Sequence, residues 1–171
     1  LSLGQEISVT PIQIATAFAA VANGGNLLRP HVVRSLRDQD GSHHRQVGPV
    51  AIRRVISAET AQTLLTMLRA VVEEGTGKEA ALVDYSVAGK TGTAQKLDPA
   101  TGRYSQQKVV ASFVGAVPAE QPRLVILVVI DDPETLRWGG SVAAPAFREI
   151  ARDALKYLQV PPSPTRDVRL V

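Results

Sequence analysis

The sequence contains no cysteine. That excludes disulfides and metal–thiolate sites, and it suits an oxidising or a reducing compartment equally well. No apolar run is longer than Leu124–Ile130, seven residues, where about 18 are needed to span a membrane. No signal peptide is recognisable at the start of the chain either. His43 and His44 have no third ligand at metal-binding spacing, so they read as a loop tip and no metal site is expected. Internal repeats and low-complexity tracts are absent. Charge of one sign is scarce too. The formal net charge of +3 is spread over isolated arginines such as Arg29, Arg34, Arg37 and Arg45, which reads as solvated surface and argues against a nucleic-acid partner.

What is present is enough for one core: 171 residues, of which 44% are hydrophobic. The most informative stretch is Val87-Ala88-Gly89-Lys90-Thr91-Gly92-Thr93-Ala94-Gln95. Its glycines let the backbone approach a ligand, its lysine brings a point charge, and its threonine hydroxyls donate and accept hydrogen bonds. Gly89-Lys90-Thr91 matches the end of a phosphate-binding loop, G-x-x-x-x-G-K-[ST], and Leu124–Asp132 resembles a magnesium-binding strand ending in acid. Two features count against that reading. Asp84 stands where the loop's first glycine belongs, and Gly92, Asp98-Pro99 and Gly102 follow where a helix should hold the anion.

The second reading is the K-T-G element of penicillin-reactive serine acyl-transferases. Several further blocks accompany it in order. They are Gly4 to Phe18 with Ala22-Asn23-Gly24-Gly25, then Glu74-Gly75-Thr76-Gly77-Lys78, then Tyr85 to Gln95, then Gly139-Gly140 with Ala144-Pro145-Ala146-Phe147. K-T-G alone is a weak signal, but the ordered set is strong. From about residue 4 to 160 the chain resembles the transpeptidase domain of class B penicillin-binding proteins, and is most similar to the division or sporulation branch.

That mechanism needs a serine with a lysine one helical turn later, S-x-x-K, and then a Ser-x-Asn element. No Ser-x-Asn occurs here. The one S-x-x-K, Ser105-Gln106-Gln107-Lys108, follows the K-T-G strand in a polar stretch beside a turn and reads as a strand entry. The chain is therefore expected to be the C-terminal portion of one transpeptidase domain over residues 1–160, followed by a Pro-rich tail over 161–171, and to carry half of an active site.

The local pattern gives an α+β fold, an antiparallel meander with helices packed on it, which the resemblance makes part of the penicillin-binding-protein/serine β-lactamase-like transpeptidase fold. Thr10-Pro11 opens a helix closed by Gly24-Gly25. Residues 30–37 and 47–56 are expected to form a hairpin around Asp40-Gly41. Ser57 caps a second helix, with Leu64, Leu65, Leu68, Val71 and Val72 on its core face and Gly75 at its end. Strands at about 85–96, 108–117 and 123–131 follow. The unbroken run Leu124–Ile130 is expected to be buried on both faces. A last helix runs from about Ala144 to Leu158.

The resemblance also implies roles. Thr93 supplies an oxyanion-binding backbone N–H, while the hydroxyls of Thr91 and Thr93 bind the substrate carboxylate under the charge of Lys90. Lys90 also joins the proton path, Gly92 keeps the strand bare for substrate, and Trp138-Gly139-Gly140 form a loop near the groove. Lys90 and Thr93 are thus the catalytic candidates, and Thr91, Gly92, Thr93, Trp138, Gly139 and Gly140 the substrate-binding ones. No cofactor is implied. The implied partners are peptidoglycan stem peptides, β-lactams, the N-terminal part of the same domain and division-complex membrane proteins. The implied place is extracytoplasmic, on the periplasmic face of the membrane, with an upstream anchor. The alternative is a catalytically silent module of the same fold that senses β-lactam or binds a partner.

Overall fold

In the computed structural model, which describes residues 7–163, the chain enters its first helix at Thr10. α1 (Pro11–Ala22) has a reciprocal cap: Thr10 Oγ1 accepts the Gln13 N–H at 3.4 Å, and Gln13 Oε1 accepts the Thr10 N–H at 2.8 Å. Pro11 sits at the first helical position, where an N–H would have no helical partner. Gly24 and Gly25, at φ +80° and +100°, reverse the chain after α1. Gly25 lies against Ile56, so that a Cβ would overlap the Ile56 carbonyl.

Four short strands follow: β1 (Asn26–Leu28), β2 (Ser35–Arg37), β3 (His44–Gln46) and β4 (Ala51–Arg54). The expected hairpin is corrected here. A turn at Asp38–Gly41 exists, with Gly41 at φ +74° and the Asp40 carboxylate accepting the Ser42 N–H at 3.0 Å, but it joins only β2 to β3. β4 pairs instead with β1, an antiparallel contact across the whole intervening segment. Alternation marks a strand without naming its partner, and the Gly24–Gly25 reversal lays β1 beside β4: the Val55 N–H donates to the Gly25 carbonyl at 2.8 Å.

α2 (Ala58–Glu73) starts as its sequence implies, with Ser57 Oγ accepting the Thr60 N–H at 3.0 Å and Glu59 in the first turn. It ends at Glu73 with Glu74 as its C-cap, just before Gly75, and a short 3-10 helix at Lys78–Ala80 leads to the main sheet. There β5 (Ala88–Asp98), β6 (Arg103–Val117) and β7 (Leu124–Asp131) form an antiparallel meander in the order β5-β6-β7. The β5–β6 hairpin reaches farther than expected, pairing Asp98 with Arg103 around a turn in which Asp98 accepts the Ala100 N–H at 3.0 Å.

α3 (Gly139–Tyr157) covers one face of this sheet, together with the 3-10 helix and the end of α2. Phe113 and Phe147 meet there with ring centroids 4.8 Å apart, and both are fully buried with Leu155. Burying each such side chain stabilises by about 1.5–3 kcal/mol. α1 and α2 cover the opposite face, where Leu65, Ala88 and Ala116 form a second cluster. Alternate residues of β7, from Leu124 to Ile130, face the α3 core while Val125 faces α1. The burial expected on both faces is not reached: β7 is half-buried, Val129 is 40% exposed, and β7 is an edge strand of this sheet.

Beyond α3 the chain stays attached. Val160 is buried, its carbonyl accepts the Tyr85 hydroxyl at 2.7 Å, and the Ser163 N–H donates to Asp84 O at 2.9 Å. The tail expected from residue 161 thus begins on the body of the domain; residues 164–171 lie outside the described residues, as do Gly4-Gln5-Glu6 of the first sequence block. Glu120 gathers this corner, accepting from Arg69 at 2.7 Å, from Ser163 at 3.3 Å and from the Ser86 hydroxyl. Burial pushes the Glu120 carboxyl up, but these hydrogen bonds and the Arg69 charge outweigh it and hold the carboxyl below its ordinary range.

Candidate functional site

β5 is the other edge strand of the meander, and among the described residues nothing pairs with its outer side. Its side chains alternate. Thr91 and Thr93 stand opposite Phe113 and Ala111, on the face that α3 covers. Lys90 and Gly92 stand opposite Val114 and Ser112 and project to the other face. The Lys90 ammonium bends back to the edge, where its Nζ donates to the Thr91 carbonyl at 2.8 Å. In an antiparallel strand the N–H and C=O of one residue point the same way, and the direction repeats every second residue. The outward Thr91 carbonyl therefore places the backbone N–H and C=O of Thr93 on the same open edge.

The first turn of α3 is set directly on this strand. The Gly139 N–H donates to Thr93 Oγ1 at 3.0 Å, so the Thr93 hydroxyl accepts from a helix N-terminus and keeps its own proton to give. Gly139 sits so close that a Cβ would overlap the carbonyls of Gly92 and Ser112, and a Cβ on Gly140 would lie 2.5 Å from Thr76 O. The loop expected at Trp138-Gly139-Gly140 is thus corrected: Trp138 is the N-cap, and the two glycines are the first turn of a 19-residue helix. A side chain at Gly139 would lift α3 off the sheet, and one at Gly140 would push against the Thr76 carbonyl. Trp138 stands 70% exposed beside a hollow lined by Thr93, Val109 and Leu136.

The glycines of β5 differ in what they meet. A Cβ on Gly89 would run into the Phe113 ring, and one on Gly92 would lie 2.5 Å from Ser112 Oγ. Ser112 Oγ is the tip of a side chain that one χ1 rotation moves, and no backbone atom crowds the position, so the sheet alone does not demand glycine at Gly92. The fold brings Lys90, Thr91, Gly92, Thr93 and Gly139 to one edge.

It adds a residue to which no role was assigned from sequence, Thr76, whose hydroxyl is 3.0 Å from that of Thr91. Its signal was the Glu74-Gly75-Thr76-Gly77-Lys78 block, legible as a motif without a purpose. The Ser105–Lys108 match lies on β6, where Ser105 Oγ accepts the backbone N–H groups of Gln107 and Lys108 at 3.1 and 2.9 Å. No helix aligns this pair for proton transfer. His43 pairs with Asp38 at 2.9 Å, and no acid, histidine or cysteine cluster fit for a metal occurs among the described residues.

Such an edge can receive an extended peptide as an added strand, bind an anion with two hydroxyls and an ammonium, and offer an N–H to a polarised oxygen. Comparison with known proteins gives the same neighbourhood. The model of the penicillin binding protein transpeptidase domain matches residues 1–152. Stage V sporulation protein D of Bacillus subtilis is 42% identical over 163 residues, 94% of this chain and 25% of that protein. Penicillin-binding protein PbpB of Mycolicibacterium smegmatis is 42% identical over 173 residues, 96% of this chain and 26% of that protein. This chain thus spans about a quarter of the length of these relatives. Among solved structures, penicillin binding protein 3 of Mycobacterium tuberculosis complexed with ampicillin superposes with a TM-score of 0.87 at 38% identity, covering all of this chain and 40% of that one. The same protein complexed with aztreonam gives 0.84, covering 94% and 38%. The chain belongs to the transpeptidase-domain family of the penicillin-binding proteins.

Proposed function

We propose that this chain is the K-T-G-bearing part of a peptidoglycan D,D-transpeptidase, and that residues of the same domain outside it supply the nucleophilic serine, its lysine and the Ser-x-Asn element. Residues 1–160 then belong to one transpeptidase domain and 161–171 to its exit. The serine attacks the penultimate D-Ala carbonyl of a stem peptide and expels the terminal D-Ala, and an amine of a neighbouring stem takes the acyl group. Thr93 N–H is one donor to the oxyanion, a contribution of about 3–4 kcal/mol for a preorganised group. The hydroxyls of Thr91 and Thr93 take the terminal carboxylate in the field of Lys90, which also bonds the serine of Ser-x-Asn and completes the proton path. Trp138 borders the groove, and Gly139 and Gly140 act by seating α3.

The observation that carries this reading is the β5 edge: two threonine hydroxyls on one face, an ammonium folded to the edge from the other, and an outward Thr93 backbone between them. β-Lactams are ligands of the same strand, as inhibitors that mimic the stem peptide. The site of action is extracytoplasmic, with the anchor upstream. The partners are stem peptides and division-complex membrane proteins.

Intact mass of the complete protein after exposure to benzylpenicillin tests the reading. The serine O–H adds across the β-lactam amide with no atom lost, so the expected result is a gain of one whole penicillin. An unmodified protein would instead mark a module that only binds a partner, and an adduct without transpeptidation of stem peptides would mark one that senses β-lactam.

A further inference from the structure

The hydroxyls of Thr76 and Thr91 lie 3.0 Å apart, and the proton of their shared hydrogen bond belongs to one of them. A hydroxyl has one proton to give. If Thr91 gives its proton to Thr76, only lone pairs remain to face a carboxylate. If Thr76 gives its proton to Thr91, the Thr91 proton is free for an anion. Thr93 is already set in the second way, because it accepts the Gly139 N–H at 3.0 Å. We propose that Thr76 is a positioning residue that donates to Thr91, so that Thr91 and Thr93 both present protons to a bound carboxylate.

The backbone holds Thr76 in place for this. Gly75 and Gly77 flank it in the turn after α2, where the Gly77 N–H donates to Val71 O at 2.9 Å and a Cβ on Gly75 would lie 2.8 Å from the same oxygen. Gly140 closes the other side: its missing Cβ leaves room for Thr76 O and for the Thr91 methyl, which that atom would meet at 2.5 and 3.5 Å. The Gly-Thr-Gly turn and the first turn of α3 thus clamp one hydroxyl against Thr91. The hydroxyl of Thr76 reaches the site through Thr91, so the effect is expected on the anion that Thr91 holds.

The inference rests on β5 being the substrate strand, and its test separates the two. Acylation rates of the complete protein are compared for benzylpenicillin, which carries a carboxylate, and its methyl ester, which carries none. Thr76→Val, of equal shape, removes the hydrogen bond that fixes the Thr91 hydroxyl rotor; it is expected to slow acylation by the free acid several-fold, the worth of one neutral hydrogen bond, and to leave the slower methyl-ester rate unchanged. Thr76→Ser is expected to restore the wild-type ratio. Equal losses for both ligands would mean a merely structural role and overturn the proposal, as would no loss for the acid. Thr76→Cys, which keeps the size and weakens the donor, is the second variant and must show the same selective loss. A wild-type protein that benzylpenicillin does not acylate refutes the transpeptidase reading itself, and this inference with it.

Discussion

Replacing Gly139 with alanine is the sharpest test of how α3 meets the sheet. The new Cβ would lie closer than 3.0 Å to two backbone oxygens, those of Gly92 and Ser112, and neither can rotate away. The helix N-terminus must move instead. Overpacking of this kind costs about 1–3 kcal/mol. Loss of the Gly139 N–H bond to Thr93 adds about 1 kcal/mol. Alanine's better helix propensity returns at most about 1 kcal/mol. The balance is a destabilisation of about 2 kcal/mol, which for a chain of this size lowers Tm by roughly 4–8 °C. Thermal unfolding followed by circular dichroism reads it directly. Gly48→Ala is the control, because a Cβ there meets nothing within 4 Å, and it should leave Tm unchanged or slightly raised. If Gly139→Ala melts at or above the wild type, α3 is not seated on β5 as described.

Three further outcomes follow from the same structure. The 171-residue chain alone should form no covalent adduct with a fluorescent penicillin after denaturing electrophoresis, and an adduct mapped to Ser105 would overturn the assignment of Ser105–Lys108 to a plain strand. The outer edge of β7 has no charge or proline from Leu124 to Ile130, so the isolated chain should self-associate through it in size-exclusion chromatography. A stable monomer contradicts this, and hydrogen exchange of residues 124–130 then tells whether the edge is open or covered. Glu120 has its carboxyl held low, so its contribution is complete above its unfolded value of about 4.3 and is lost as pH falls through the lower folded value. Glu120→Gln should therefore flatten the loss of Tm below about pH 4, and an unchanged acid slope would show that Glu120 does not contribute to it.

The local signals in the sequence carried the fold as far as local physics reaches. Thr10-Pro11 and Ser57 open α1 and α2 because capping is decided within four residues. The three strands of the meander follow from apolar runs separated by tight turns. Pairings between distant segments were out of reach, as with β1 and β4. The start of α3 was missed because Gly139-Gly140 reads as loop and Ala144-Pro145 as a helix opening. In the fold Pro145 lies inside α3, and the glycines begin it because only they fit against Gly92, Ser112 and Thr76. Of the site, Lys90 through Thr93 were legible as a string. The split of their side chains between two faces, and the approach of Thr76, required the register with β6 and the packing of α3.

The central claim is that the β5 edge binds the reacting group through the Thr93 backbone while Lys90 supplies charge and a proton-path hydrogen bond. It is tested most directly by the second-order rate of penicillin acylation in the complete domain, measured for Lys90→Ala and Thr93→Ala side by side. Lys90→Ala is expected to slow acylation by orders of magnitude, because both the charge and the hydrogen bond are lost. Thr93→Ala is expected to cost less, because the N–H remains on the edge when the hydroxyl is gone. Equal losses in the two variants would contradict the role given to the Thr93 backbone, and a Lys90→Ala protein that acylates at the wild-type rate would contradict the claim as a whole.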